Sequence, residues 1–389
     1  MSSGAAGRYA ADRSTSRARI AIVGPTHPYK GGVAAHTTAL AHELDRVGHR
    51  VALVSWRHLY PSLLYPGVQR LPGDLPDTRP YAGTTRPLSW ARPDTWWRVG
   101  RQLRKADVLV IVHVVPHIVP AHLAVLRAAR RRGKKPTVVA VVHNVLPHEK
   151  RPGSELLMRR FFAAVDAVVV HSQEQARLAA GLGASRVEAV QLPPHLPGKP
   201  RLPRPRRAGR VRLLALGIVR EYKGLDAVLE ALREVPDVHL TIAGEFWGEA
   251  GERVRSLAAD PNLADRVLLQ PGYVPADRIA SLLAEHDVLV LAYRSATGSQ
   301  NVLLAHHHGL PVIVTRVGTL ADGVEDGVDG LVIAPHDHTA LVQAMRQVAD
   351  REALDRLSSG VCTPDLAGPW RRYVATLEAL TDLAMGEER

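Results

Sequence analysis

Short apolar runs and amphipathic helical patterns alternate along almost the whole chain. The runs predict buried strands at residues 19–23, 48–55, 108–112, 137–142, 166–172 and 187–191, and again at 211–216, 239–243, 267–269, 288–291, 312–314 and 330–333. Apolar residues recur at helical spacing over 33–46, 227–235, 277–285 and 369–385. This repetition of strand and helix predicts an α/β fold built from doubly wound parallel sheets.

The stretch 193–210 interrupts the alternation. It is rich in proline and arginine and has no hydrophobic periodicity, which is typical of a linker between domains. A chain of 389 residues is also long enough for two domains of about 150–200 residues each. We therefore expect a disordered leader at 1–18, Rossmann-like domains at 19–195 and 211–368, a linker at 196–210 and a terminal helix at 369–389.

Composition adds an expectation about partners. The 50 basic residues outnumber the 38 acidic ones, so the net charge is +12. This charge favours an anionic partner such as a nucleotide sugar, a lipid phosphate, a membrane surface or nucleic acid. A genome that favours arginine codons explains the excess equally well. The charge is spread through both halves without a recognition motif, so we expect no nucleic-acid partner.

The sequence also bounds the location of the protein. Cys362 is the single cysteine, which rules out an intramolecular disulfide and fits a reducing cytoplasm. The first 17 residues lack the apolar core of a secretory signal. The most apolar window, 106–126, is interrupted by histidines and prolines, whereas a bilayer helix needs about 20 predominantly apolar residues. We predict a cytoplasmic protein without a transmembrane span.

An unusual mixture of aromatic and basic residues fills the proline-rich stretch 56–98. The residues concerned are Tyr60, Tyr65, Tyr81, Trp90, Trp96 and Trp97 among Arg70, Arg79, Arg86, Arg92 and Arg98. Packing within a loop is the first interpretation, and a wall that binds a sugar acceptor is the second. Because tryptophan, tyrosine and arginine also suit the membrane–water interface, peripheral contact with the inner face of a membrane is the third.

The strongest candidate for a ligand site is the stretch 293–318. Small polar residues at 295–299 lead into an apolar helix, and a buried strand follows at 312–314. Free amides at a helix N-terminus favour a phosphate, so the candidates for nucleotide binding here are Thr297, Gly298, Ser299, Gln300 and Asn301. Upstream, Arg220 and Lys223 follow another buried strand and supply two fixed cations. We expect the two segments to hold the diphosphate of one donor.

The first half offers two further candidate segments. The loop after the first strand carries Lys30, which is placed to meet an anion, and the pair Gly31 and Gly32 before a helix. A polar run follows the strand at 137–142 and contains His143, Asn144 and Glu149. The carboxyl ends of parallel strands are where α/β folds bind ligands. A tight turn and a histidine satisfied within the core are the alternatives.

The residues of the second half resemble a known family. The patterns R-x-Y-K-G-L-D at 220–226 and Y-R-S-A-T-x-S at 293–299, followed by G-x-P-V-I-x-T-x-V-G at 309–318, resemble the retaining GT-B glycosyltransferases of family 4. The resemblance implies two Rossmann-like domains that face each other across a cleft, with the last helix returning to the first domain. It implies a transferase of the hexosyltransferase type that uses a nucleotide sugar.

The resemblance also assigns roles. Arg220 and Lys223 neutralise the departing diphosphate, and His143 contacts the donor sugar, with Lys30, Asn144 and Glu149 near the sugar or acceptor. Gly31 and Gly32 lie near the diphosphate, and Tyr273 and Val274 lie against the nucleobase. The implied donor is a UDP- or GDP-linked sugar, and the acceptor is a hydroxyl group on a lipid-linked saccharide or a small aglycone.

No cofactor and no metal are expected. The chain lacks Asp-x-Asp, the pair with which the other large glycosyltransferase fold holds its metal. Adjacent residues on a helix point about 100° apart, so His306, His307 and His308 cannot share one ion.

One departure from the family favours an alternative. The family carries two glutamates where this chain has Ala296 and Leu304, and neither side chain can hold a ribose. The alternative is a non-catalytic GT-B protein that binds a nucleotide sugar or supports a partner enzyme.

Overall fold

The computed structural model describes residues 18–59, 69–71, 78–131, 135–146, 152–196, 209–296 and 299–386, with side chains as far as residue 381. The first seven strands are β1 (Arg19–Val23), β2 (Arg50–His58), β3 (Thr84–Ser89), β4 (Val108–His113), β5 (Thr137–Val142), β6 (Ala167–Val170) and β7 (Val187–Ala189). They form one parallel sheet in the order β3-β2-β1-β4-β5-β6-β7. Its helices are α1 (Gly32–Arg46), α2 (Pro93–Gln102), α3 (Val119–Ala129), α4 (Ser154–Phe162) and α5 (Gln173–Gly181).

The second half repeats this plan. Its strands are β8 (Val211–Leu216), β9 (Val238–Gly244), β10 (Val267–Pro271), β11 (Val288–Leu291), β12 (Val312–Thr315) and β13 (Gly330–Ile333). They form a second parallel sheet in the order β10-β9-β8-β11-β12-β13. Its helices are α6 (Leu225–Leu232), α7 (Gly248–Ala258), α8 (Ala276–Glu285), α9 (Asn301–His307), α10 (His338–Ala349), α11 (Arg351–Gly360) and α12 (Ala367–Gly386). The prediction of two doubly wound parallel sheets is confirmed.

The strand order reverses once in each sheet, and that reversal positions a site. β1 pairs with both β2 and β4, and β8 pairs with both β9 and β11. Helices leave such a pair of strands toward opposite faces, so a crevice opens at the carboxyl ends of the strands. Each sheet therefore offers one crevice, beyond β1 in the first and beyond β8 in the second.

The stretch 56–98 differs from the loop that the sequence suggested. Beyond the undescribed residues it contains β3 and the start of α2. Pro87 lies in β3, which is tolerated because β3 is the edge strand of the sheet. Pro93 is the first residue of α2, where the missing N–H costs nothing. Both prolines lie where regular structure permits them. Because prolines are typical of loops, β3 and α2 were not predicted from the sequence.

The terminal helix α12 covers one face of the first sheet. Trp370, Tyr373, Val374 and Leu377 are buried in one cluster with side chains of α1 and the sheet. Trp370 Nε1 donates a hydrogen bond to the carbonyl of Pro194 at 2.7 Å. Among the helices in the described ranges, none combines the length and apolar character needed to cross a bilayer.

Candidate functional site

The ends of β8 and β9 approach each other more closely than side chains would permit. A Cβ atom on Gly244 would lie 2.1 Å from the carbonyl oxygen of Gly217. The Gly217 N–H donates to Ala243 O at 2.9 Å, and the Val219 N–H donates to Glu245 O at 2.8 Å. This contact fixes the loop that follows β8 and directs residues 218–223 along the crevice.

Two cations of that loop lie at the carboxyl ends of the strands in the second sheet. The guanidinium of Arg220 is 5.2 Å from the ring centroid of Trp247, and Lys223 Nζ is 5.3 Å from that of Tyr293. Both cations are half-buried. Lys223 Nζ also lies 2.8 Å from the Cβ position of Gly217, against the main chain at the end of β8. Within the described ranges, Lys223 has no carboxylate partner, so its charge is not neutralised.

The start of α9 is joined to the same place. Asn301 Nδ2 donates to Leu216 O at 3.2 Å and to the Tyr293 hydroxyl at 3.4 Å. The Asn301 N–H donates to Ser299 Oγ at 3.2 Å. Ser299, Asn301 and Lys223 are therefore brought together around Tyr293. Thr297 and Gly298, which the sequence also assigns to nucleotide binding, lie outside the described residues.

Gln300 departs from its expected role. Its side-chain oxygen accepts a hydrogen bond from the His195 N–H at 3.2 Å, and its Nε2 donates to Pro193 O at 3.5 Å. The side chain therefore binds the end of the first domain instead of facing a nucleotide. This contact links residues 105 apart in sequence, which no local pattern can predict.

Lys30 is not the free cation that the sequence suggested. Its Nζ lies 2.6 Å from each carboxylate oxygen of Glu245, and the two side chains are only 4% and 13% exposed. The same ammonium is 5.5 Å from the ring centroid of Tyr273. The lysine of the first domain is thus neutralised by a carboxylate of the second.

Tyr273 and Val274 follow the carboxyl end of β10 and are half-buried. The Gly272 N–H donates to Gly244 O at 2.9 Å, which holds this end beside that of β9. The cations, the carboxylate of Glu245 and the Tyr273 ring therefore follow three neighbouring strands of the second sheet.

Four histidines of the first domain form a cluster around His36, and one of them, His195, lies against the start of α1. A Cβ atom on Gly32 would lie 3.3 Å from His195 Nε2, while Gly31 has φ +101° and open space around it. His36 on α1 is fully buried, and its ring centroid is 5.0 Å from that of His143, 5.9 Å from His171 and 5.8 Å from His195. Trp370 stacks on His36 at 5.4 Å.

These imidazoles are neutral at pH 7. Burial lowers the pKa of His171 and of His195 to about 4. Burial together with neighbouring imidazoles lowers the pKa of His36 and of His143 well below the usual range. His143, directly after the end of β5, is therefore a neutral imidazole. Asn144 is half-buried next to it, and Glu149 lies outside the described residues.

Comparison with known proteins identifies the family. The model described as Glycosyltransferase Family 4 matches residues 30–215, and the model described as Glycosyl transferases group 1 matches residues 210–351. The chain belongs to glycosyltransferase family 4.

Relatives of this family 4 chain are known at the level of sequence and of structure. It is 26% identical over 250 residues to a D-inositol 3-phosphate glycosyltransferase from Acidothermus cellulolyticus, covering 58% of this chain and 55% of that one. The chain thus spans about half the length of the curated relatives that it matches.

Solved structures share the fold over nearly the whole chain. Sucrose-phosphate synthase from Thermosynechococcus elongatus has a TM-score of 0.66 at 19% identity, covering 95% of this chain and 98% of that one. Anabaena HepE in complex with UDP and glucose has a TM-score of 0.68 at 15% identity, covering 93% and 100%. The GT-B arrangement predicted from the sequence is confirmed.

The family's usual glutamate positions are occupied by residues that face the protein. Leu304 is 4% exposed and packs in the core of the second domain. Ala296 is half-buried and packs against the same cluster. The sequence expectation that neither side chain holds a ribose agrees with this placement.

Two features of the site were not predicted from the sequence, Glu245 and the packing of His36, His171 and His195 with His143. A signal for the cluster was available, because a histidine stands at or directly after the ends of β4, β5 and β6. Glu245 also follows a strand directly and could have been selected on that ground. For metals, the described ranges contain no group of three His, Cys, Asp or Glu side chains arranged to hold an ion.

Proposed function

We propose that the chain is a retaining glycosyltransferase that moves a sugar from a nucleotide-sugar donor to a hydroxyl acceptor without a metal ion. The observation that carries the proposal is the pair Arg220 and Lys223 at the end of β8. Lys223 has no counter-charge within the described ranges, and a half-buried cation without a carboxylate favours an anionic ligand. A diphosphate supplies the required charge.

In this mechanism the two cations stabilise the leaving group. As the glycosidic bond breaks, negative charge develops on the diphosphate, and fixed cations in a half-buried crevice stabilise it. Hydrogen bonds to charged groups contribute about 1.5–3 kcal/mol each, against about 0.3–1 kcal/mol for a helix end. Because α9 has only seven residues, the side-chain cations dominate. Neutral His143 hydrogen-bonds a hydroxyl of the donor sugar.

Several relatives support a nucleotide sugar as the donor. The HepE complex contains UDP and glucose, and the catalytic domain of starch synthase IV from Arabidopsis thaliana is bound to ADP and acarbose. For this chain we propose a UDP- or GDP-linked sugar. The acceptor is a hydroxyl of a lipid-linked saccharide or of a small aglycone.

Thermal shift and turnover test the proposal together. A panel of UDP-, GDP-, ADP- and dTDP-sugars should raise the melting temperature for the true donor, because a ligand that binds the native state stabilises it. Arg220→Ala and Lys223→Ala should each lower kcat/KM about 10- to 150-fold with the melting temperature of the free protein retained. Arg356→Ala, which removes an exposed arginine from α11, is the matched control and should leave turnover unchanged.

The outcome also decides between transfer and the non-catalytic alternative. Ala296 and Leu304 favour that alternative, because both usual carboxylates are missing. Retention of configuration in the product, observed by NMR during turnover, supports the transferase. Donor binding without release of nucleoside diphosphate would identify a binding protein. Full activity of both alanine variants would refute the role of the cations.

Residues 90–105 of the first domain suggest an additional partner, an anionic membrane surface. Trp90 and Trp97 are 45% and 42% exposed, whereas the other four tryptophans are buried or half-buried. Arg101 is exposed one turn after Trp97 on α2, and Arg92 and Arg98 are also exposed. Residues 90–105 hold five basic side chains and one acidic one. Exposed tryptophans among arginines fit the interface of an anionic bilayer.

Vesicle binding tests this partner separately from turnover. The full chain should co-sediment with vesicles of phosphatidylcholine and phosphatidylglycerol in equal parts and not with pure phosphatidylcholine. Arg101→Ala should weaken binding about fivefold. Trp97→Ala should also weaken it, while the exposed Leu268→Ala on β10 is the control. Equal binding by all variants, or tighter binding to RNA than to vesicles, would exclude the membrane surface.

A further inference from the structure

Three neighbouring strand ends divide the proposed donor site into three parts. The sheet order places β9 between β8 and β10. Arg220 and Lys223 follow β8, Glu245 follows β9, and Tyr273 follows β10. Backbone hydrogen bonds hold these ends side by side, from Val219 N–H to Glu245 O and from Gly272 N–H to Gly244 O. The carboxylate of Glu245 thus belongs to the middle part of the site.

The middle part matches the ribose of a nucleotide. In a nucleoside diphosphate the ribose lies between the base and the diphosphate. With the diphosphate at Arg220 and Lys223 and the base at Tyr273, as the proposed function has them, the ribose lies beyond the end of β9. A ribose presents two hydroxyl donors there, and an ionised carboxylate is an acceptor with about four lone-pair positions.

The carboxylate is fixed before any ligand arrives. Lys30 Nζ contacts both oxygens at 2.6 Å, and the pair is nearly closed off from water, with exposures of 4% and 13%. A charge-assisted contact to each oxygen leaves the remaining lone pairs for hydroxyl groups. Lys30 is therefore a positioning residue, and it comes from the opposite domain.

We propose that Glu245 binds the ribose hydroxyls of the donor and makes the site select ribonucleotides. This inference rests on the proposed function. It accounts for the absence of a carboxylate at position 304, where the leucine is buried in the domain core. The carboxylate that accepts the ribose hydrogen bonds therefore lies at the end of β9 and not on α9, and its orientation depends on Lys30.

Titration calorimetry with the full chain tests the assignment. The probes are UDP, 2′-deoxy-UDP, GDP, 2′-deoxy-GDP and inorganic pyrophosphate. The wild type should bind the preferred ribonucleotide at least about tenfold more tightly than its 2′-deoxy counterpart, because a hydrogen bond to a charged acceptor is lost. Glu245→Gln should reduce this ratio while pyrophosphate binding is not weakened. A purely structural role for Glu245 would not change the ribose preference.

A second variant guards against misfolding. Glu245→Gln leaves Lys30 buried without a carboxylate, so Lys30→Met with Glu245→Ala removes both charges together. This double variant should bind the ribonucleotide and its 2′-deoxy form equally. Retained discrimination in both variants, or no discrimination in the wild type, would overturn the inference and leave the proposed function standing. Binding of none of the five probes would instead reject the proposed function.

Discussion

Two loops of the molecule occupy the same place in their domains and differ in how the charge of their lysine is compensated. Residues 24–31 join β1 to α1, and residues 217–224 join β8 to α6. Each is eight residues long, begins with glycine and ends in Tyr-Lys-Gly, with a positive φ at the last glycine. Yet Lys30 is paired with Glu245, whereas Lys223 lies over the Tyr293 ring and pairs with no carboxylate of the described residues.

Position alone therefore does not assign a lysine its role. The ammonium of Lys30 in the first loop is compensated by Glu245, and the imidazoles of the histidine cluster in the first domain are neutral. The second loop keeps the charge of Lys223 available. If Arg220 and Lys223 hold the diphosphate, as proposed, its charge is met by the second domain, while Lys30 of the first domain orients the carboxylate of Glu245.

The largest expected effect is the loss of stability in acid, which acts on the histidine cluster of the first domain. The folded pKa of His171 is about 4, against an ordinary value near 6.5, so the unfolded chain takes up its proton first. Stability is therefore complete above about pH 6.5 and is lost as the pH falls toward 4, by about 3 kcal/mol for this residue. Urea unfolding at several pH values measures the loss.

His171→Phe should reduce that dependence by about 3 kcal/mol, and His338→Gln, which changes an exposed histidine of the second domain, should not. A free energy of unfolding that stays constant from about pH 6.5 to pH 4.5 would contradict the neutral state of the buried histidines in the folded protein.

The two lysines should respond differently to the same substitution. Lys223→Ala should weaken binding of the donor's nucleoside diphosphate about 10- to 150-fold without lowering stability. Lys30→Ala should instead lower the free energy of unfolding by about 1–3 kcal/mol, because it leaves a nearly buried carboxylate unpaired. Calorimetry and urea unfolding of both variants give the four values. Equal losses of affinity would mean that the loops are electrostatically equivalent.

The smallest effect concerns the residue five positions beyond each loop. That position is His36 in α1 and Leu229 in α6, and both are fully buried. Because neither ring nitrogen of His36 has a hydrogen-bond partner in the part of the chain that the structure describes, His36→Leu should change stability by less than about 1 kcal/mol at pH 7. Turnover should persist. A loss of turnover with unchanged stability would give His36 a direct role in the cleft.

The repeated strand and helix units could be predicted from the sequence, whereas the contacts between them could not. All twelve predicted strands correspond to strands of the two sheets, with ends displaced by a few residues, because buried parallel strands have a clear apolar pattern. Arg220 and Lys223 could be selected because each follows such a strand. Prolines concealed β3 and α2, since a proline at a sheet edge or a helix start resembles a loop.

The remaining parts of the site depend on distant pairing. Lys30 and Glu245 are 215 residues apart, and His195 and Gln300 are 105 apart. Neither contact has a local signature. The charge of Lys30 could be identified from the sequence, but its neutralisation required knowledge of how the two domains meet.

The closing helix α12 determines how the polypeptide can be divided. Its indole at Trp370 reaches the carbonyl of Pro194, and Glu378 lies 3.1 Å from His49. A fragment that ends before residue 367 would therefore expose Leu40, Leu44 and their neighbours to water, at the opposite end of the chain from the cut. Shortening the C-terminus should thus damage the N-terminal half first.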